Sequence, residues 1–360
     1  MPYRPQPRAA RNALLWGLGT FVVLQAAFSG VVQDWLPQFR DPFFEVRART
    51  LRQRIKQTPA DLVVMLGSSR TLNALRGAEV EPELAQVRGR PVILYNLGIP
   101  GAGPTTHLMV LNRLRERKIR PDLLLVEVLP LYLGEKTAET PPGVPAEWLA
   151  ARDIDCLDRH GLLTEHVQES RLRALAAPWY THRMAIVSAF APRLLPGALR
   201  QDWAWRCDQS GWMPIPDRDP TPAMRRDAVE SARKGYEPGL RDFTLGGRSC
   251  QALRQLLAEC QRDGVRTALV LMPEGPIFQS WYAPATTAQV NDFLSELSAE
   301  FGCAVVNARD WVPEEAFSDS HHALRRGGVA FTKRLAQEAI LPLLKAECPE
   351  TKLARVASGQ

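Results

Sequence analysis

Hydrophobic residues along the chain fall into three regimes. From Ala13 to Val32 the sequence reads ALLWGLGTFVVLQAAFSGVV, and no charged residue lies between Arg11 and Asp34. At 1.5 Å rise per residue, twenty mostly apolar residues cover the roughly 30 Å hydrocarbon core of a bilayer. Residues 33–60 then read as a charged linker helix, centred on 41–58. From Asp61 short apolar runs alternate with helical segments. The runs are Leu62–Leu66, Val92–Asn96, Leu123–Val128, Thr267–Met272 and Ala304–Val306. They are near-continuous rather than alternating, as parallel strands covered on both faces require. Residues 105–118 and 249–262 carry apolar positions at helical spacing, the second stopped by Asp263-Gly264. This rhythm predicts an α/β fold, a three-layer α/β/α sandwich on a mostly parallel five-stranded sheet, preceded by a transmembrane helix.

The interval from about 131 to 247 breaks the rhythm. It holds two proline-rich stretches, at 141–145 and 214–222, with Trp148, Trp179, Trp203, Trp205 and Trp212 nearby. It reads as an insertion over the edge or carboxyl end of the sheet, within a domain spanning 61–345. It serves either as a lid or acceptor surface or as a plain packing module. Residues 346–360 read as a flexible polar tail.

Charge changes the picture at one end only. Residues 1–60 hold nine Lys/Arg against three acids, a surplus equal to the net charge of +6, so the other 300 residues balance. A body with no basic surplus is unlike a nucleic-acid binder. Arg4, Arg8 and Arg11 before the apolar run mark residues 1–12 as cytoplasmic and 13–32 as a signal-anchor. The expected location is thus the cell membrane, single-pass, with the main domain outside the cytoplasm. A cleaved signal peptide is the competing reading. Six cysteines allow fifteen full pairings, and their spacing suits buried hydrophobes or structural disulfides better than metal ligands. No metal and no cofactor is expected.

Three segments carry candidate chemistry. The first strand runs into Gly67-Ser68-Ser69-Arg70 and a segment able to start a helix. A serine there sits at the positive end of a helix, which favours an alkoxide, or else caps that helix. After the second strand comes Asn96-Leu97-Gly98-Ile99-Pro100-Gly101-Ala102-Gly103, whose glycines either offer backbone N–H groups to an anion or form a structural turn. It lacks a dinucleotide fingerprint, and no phosphate-loop lysine follows the first strand. Near the C-terminus stands Phe317-Ser318-Asp319-Ser320-His321-His322. There Asp319 can orient His322, which can take a serine proton. His321 is the alternative base. Glu274, after the fourth strand, and Arg70 are candidate pocket residues. His107, His160, His166 and His182 read as surface or packing residues.

Together these segments resemble the SGNH/GDSL hydrolase superfamily over roughly residues 60–130 and 245–345. The closest likeness is to membrane-anchored, extracytoplasmic members resembling polysaccharide O-acetyltransferase and D-alanyl transfer proteins. The resemblance implies that Ser69 is the nucleophile, Asp319 and His322 complete its relay, and Gly327 occupies the glycine position after the histidine. It further implies an oxyanion hole of the Ser69 and Gly101 N–H groups, with Gly98 as the other position for the glycine donor. The expected activity is that of a serine acyltransferase or esterase acting on acetyl groups of a cell-surface glycan. An acylated glycan or acyl carrier would be its substrate, and a membrane-bound acyl-donor protein its partner. Two departures stand out. Ser68 replaces the usual aspartate before the nucleophile, and Val126-Glu127-Val128-Leu129-Pro130 has no asparagine for a second oxyanion donor. Arg70 is the candidate substitute. A catalytically inactive scaffold or glycan-binding protein of the same fold is the alternative.

Overall fold

The computed structural model describes residues 7–136, 144–213 and 219–345. The tail from 346, Cys348 and parts of both proline-rich stretches (141–143 and 214–218) lie outside the described residues. Five strands form one sheet: β1 (Asp61–Gly67), β2 (Val92–Gly98), β3 (Leu123–Val128), β4 (Arg266–Leu271) and β5 (Ala304–Asn307). Their order is β2-β1-β3-β4-β5, and every pair is parallel. The chain changes direction across the sheet between β1 and β3, the place where open α/β sheets hold their ligands.

β1, β2 and β3 are buried along their whole length, which is why their sequences are apolar without alternation. Successive side chains still point to opposite faces. Leu62, Val64 and Leu66 join one core, Val63 and Met65 another. Helices cover both. In chain order they include α1 (Pro7–Gly30), α2 (Pro42–Gln57), α3 (Ser69–Ala74), α4 (Gly77–Arg88), α5 (Pro104–Glu116), α6 (Glu165–Ala176), α7 (Pro178–Phe190), α8 (Pro222–Arg241), α9 (Gly247–Arg262), α10 (Pro284–Phe301) and α11 (Arg325–Leu335). The apolar sides of α2, α5, α9 and α10 enter the first core, those of α4 and α11 the second.

Helix α1 is exposed, and with its π-helical continuation to Trp35 it is the one helix among the described residues long and apolar enough to cross a membrane. Helix α2 departs from the linker reading. Phe44, Ala48 and Leu51 are buried in the first core, and the buried Arg47 donates to the carbonyls of Asn96 (3.4 Å) and Gly98 (2.8 Å). The Tyr95 hydroxyl returns a bond to the Arg47 carbonyl at 2.7 Å. At the start of α2, Asp41 caps Phe43 and Phe44, and its second oxygen pairs with Arg113 of α5. The helix therefore belongs to the folded body.

The insertion between β3 and β4 is closed at its neck by a bridge between Gly134 and Leu245. One part covers the edge of β2, where the Asn96 N–H donates to Ser210 O at 2.8 Å and Trp212 Nε1 donates to Asn73 O. Another part, α8, covers the carboxyl ends of β3 and β4, where Ala232 and Leu240 pack with Leu129, Leu131, Phe278 and Trp281. The five described cysteines are all free thiols, four of them buried, which corrects the disulfide option for these residues. Burial pushes the Cys156, Cys250 and Cys303 thiols up to about 11.

Candidate active site

The turn after β1 is built around a carboxylate. Glu127 of β3 accepts from the Ser68 N–H (2.7 Å), the Ser68 hydroxyl (2.7 Å) and the Thr71 hydroxyl (2.6 Å). Ser68 in turn caps α3 by accepting from the Arg70 N–H at 3.1 Å. Only glycine fits at position 67, because a Cβ would stand 2.0 Å from Thr71 Oγ1 and 2.5 Å from Glu127 Oε2. Ser69 is thus the first residue of α3, directly above the end of β1. Its N–H is one of those a helix start leaves without an intrahelical partner.

Opposite, residues 317–323 form a fixed hairpin. Phe317 and Ala323 bridge, and the Ser318 N–H donates to His322 O at 2.9 Å. Its tip, Ser320, has φ 69°, a left-handed conformation that costs a non-glycine residue roughly 1–2 kcal/mol. The tip is held from every side. The Gly275 N–H donates to Ser320 O (2.7 Å), the Phe278 N–H donates to Ser320 Oγ (3.0 Å), and that hydroxyl donates to Glu314 (2.8 Å). Asp319 Oδ1 accepts the His322 N–H at 2.7 Å, and its Oδ2 lies 2.7 Å from His322 Nδ1.

His322 Nε2 reaches Ser69 Oγ at 2.8 Å. The Asp319 carboxylate can only accept, so Nδ1 carries the ring proton and Nε2 presents its lone pair to the serine hydroxyl. Burial works against the Asp319 charge. The His322 hydrogen bond and the charges of both histidines outweigh it and hold this carboxyl well below the usual range. His321 is buried instead, its ring stacked on Phe278 (centroids 4.9 Å, 27°) and against Tyr236 of α8 (4.7 Å). Burial, then the neighbouring His322, lower His321 to about 3. Of the two adjacent histidines, it is His322 that faces the serine.

The glycine segment divides clearly. The Gly98 N–H already donates to Asn96 Oδ1 at 2.9 Å, so it is not available as an anion donor and drops out of the candidate oxyanion hole. A Cβ there would also strike Leu72 N (2.4 Å) and Ser68 O (2.7 Å). Gly101 lies in the exposed loop beyond, at φ 73°, and neither its N–H nor that of Ser69 has a partner among the described residues.

Arg70 and Glu274 are corrected as pocket residues. Both are buried, and they pair at 3.2 Å beneath the turn. Arg70 also donates to the carbonyls of Met272 (3.2 Å) and Pro273 (3.1 Å) and lies 4.0 Å from Glu127. Glu274 further accepts from the Tyr282 hydroxyl at 2.8 Å. The arginine is thereby committed to a buried charge cluster. His107 and His182 are buried too, and burial lowers each to about 4. Gly327 packs against Ala316 O, where a Cβ would come within 2.7 Å.

Asp319, His321 and His322 offer metal-binding atoms within 4.8 Å of one another. Using Asp319 Oδ2 and His322 Nδ1 for an ion would require breaking their 2.7 Å bond. Glu127 and Tyr236 did not figure among the sequence candidates. Glu127 carries a signal in retrospect, a lone acid inside the apolar strand LLLVEV. Tyr236 carries none. No protein-family model matches the chain, and no curated protein matches it.

Proposed function

We propose that this chain is a serine-dependent acyltransferase or esterase, held in the cell membrane by α1, that acts outside the cytoplasm on acetyl groups of a cell-surface glycan. One observation carries the reading: Ser69 Oγ, His322 and Asp319 form a continuous hydrogen-bonded line with links of 2.8 and 2.7 Å. The parallel strand order β2-β1-β3-β4-β5 supports a flavodoxin-like sheet of the SGNH type.

In the proposed reaction Ser69 Oγ attacks the acyl carbonyl carbon while His322 Nε2 takes its proton. Asp319 holds the other ring N–H and stabilises the imidazolium. The oxyanion is met by the N–H groups of Ser69 and Gly101. Collapse breaks the bond to the leaving alkoxide, which takes the proton from His322, and leaves an acyl ester on Ser69. A sugar hydroxyl or water, deprotonated by His322, then attacks that ester and frees the serine. Transfer is favoured by the membrane helix and by the insertion packed beside the hairpin. Both suit an acyl carrier or a membrane-bound acyl-donor protein as partner.

One observation favours a second reading, an inactive scaffold or glycan-binding protein. The block Val126–Pro130 has no asparagine where the resemblance places a second oxyanion donor, and Arg70 is committed beneath the turn; losing such a donor costs other enzymes about 10²–10³ in rate. The deciding experiment treats the full chain in detergent with a fluorophosphonate and maps the adduct by peptide mass spectrometry. A Ser69 adduct that vanishes in Ser69→Ala supports the enzyme. Folded protein with no adduct supports the scaffold.

A further inference from the structure

Residues 171–206, which include the second half of α6, all of α7 and the loop after it, have a composition unlike the rest of the body. They hold six arginines and a single acid, Asp202, whereas the chain beyond residue 60 is balanced overall. The same segment leaves large apolar side chains in solvent: Trp179 and Tyr180 on α7, then Phe190 and Leu194, the last two 77% and 78% exposed. Exposed aliphatic and aromatic side chains interleaved with arginine are costly in water and suit an anionic lipid surface.

The position of the segment identifies its occupant. Trp179 packs edge-on against Phe28 at the end of α1 (5.5 Å), and Phe190 lies 5.7 Å from Phe39, just beyond it. Where α1 ends, Trp35 is 82% exposed. Trp and Tyr concentrate where a spanning helix meets the headgroups, and arginines there extend to the phosphates. The apolar patch is therefore continuous with the helix that enters the bilayer.

We propose that α7 and its following loop lie on the bilayer surface from which α1 emerges, with Tyr180, Phe190 and Leu194 among the headgroups of acidic phospholipid. This inference rests on the reading that α1 spans a membrane. The domain is thereby held against the surface at two places, which fixes its tilt instead of leaving it to swing on one helix. Arg193 and Arg200, both exposed in the loop, supply the attraction for lipid phosphate.

The test reconstitutes the full chain into vesicles of phosphatidylcholine, with and without phosphatidylglycerol. The photo-crosslinking residue p-benzoylphenylalanine replaces Phe21 in α1, Phe190, Leu194 or, as a control, Val87 on the far side of the sheet. Adducts are identified by mass spectrometry. Lipid adducts at 21, 190 and 194 but not at 87 are expected, several-fold more abundant at 190 and 194 with phosphatidylglycerol. The combined Arg193→Glu and Arg200→Glu variant should lose that difference. Lipid at 21 with none at 190 and 194, or adducts there to a second protein chain, overturns the surface contact and leaves the span intact. No lipid at 21 overturns both. Equal yields in the two vesicle types overturn the role of acidic lipid.

Discussion

The Ser68 hydroxyl donates to Glu127 Oε1 at 2.7 Å, so the residue before Ser69 is clamped by a carboxylate from the neighbouring strand. Glu127 also takes the Ser68 N–H and the Thr71 hydroxyl, and its charge is answered by Arg70. A buried acceptor thus sets where α3 begins and hence where Ser69 Oγ stands. Glu127→Gln puts an NH₂ against one of these donors and weakens the buried charge balance. The expected loss of stability is about 2–4 kcal/mol in denaturant unfolding. An unchanged midpoint would show that the turn holds without the carboxylate.

Asp319→Asn should separate folding from chemistry. The variant keeps a side chain of the same shape, but its amide no longer enforces the ring tautomer that turns Nε2 toward Ser69. Turnover of a small acetyl ester should fall by about 10³–10⁴, with circular dichroism unchanged. Comparable turnover in variant and parent would remove Asp319 from the relay.

Gly98→Ala is expected to be worse than Gly101→Ala. At 98 the new methyl meets backbone atoms of α3 that cannot swing away, costing about 1–3 kcal/mol. At 101 the loop is exposed and only the left-handed φ counts, about 1–2 kcal/mol. Thermal unfolding of the two variants side by side checks the order.

Three buried histidines predict the acid response. His321 lies at about 3, His107 and His182 at about 4, each below the ordinary value of 6.5. Between those values and 6.5 the unfolded chain binds protons that the folded chain refuses, so stability falls as pH falls. The slope approaches about 1.4 kcal/mol per pH unit for each histidine involved. Asp319 acts in the same direction lower down, its contribution being lost as pH drops below the ordinary carboxylate range. His321→Gln should flatten the urea-midpoint profile between pH 6 and 4, to the order of one histidine's share. Tyr236→Ala, which uncovers the His321 ring, should raise the pH at which its imidazole resonances titrate.

The strands were legible because a strand covered on both faces must be apolar throughout, as Leu62–Leu66 and Leu123–Val128 are. Helix α2 was legible as a charged helix, but its burial was not, since arginine, lysine and glutamine recur along it. What buries it is the pairing of Arg47 with carbonyls 49 and 51 residues away, which no local pattern encodes. The segments holding Ser69, Asp319 and His322 could be placed at the carboxyl end of the sheet from the order of elements. The separations between their atoms could not. Glu127 was visible as a charge in a buried strand, but its partners come from the turn after a different strand. Arg70 shows the converse: adjacency to Ser69 in sequence says nothing about direction, and its guanidinium turns down toward Glu274.

The bridge between Gly134 and Leu245 bears on how the sheet assembles. β3 and β4 are neighbours in register, Leu123 beside Arg266, although all of residues 129–265 lie between them. Joining distant strands is slow because a long loop must close before any contact rewards it. Loop entropy grows only logarithmically, so doubling such an excursion adds only about 0.6 kcal/mol. A closed neck lets β4 return to β3 whatever length of chain hangs beyond it. Away from Ser210, Trp212 and α8, which pack on the body, the excursion can therefore lengthen or shorten at little cost in stability, a freedom that the tightly paired turn after β1 does not have.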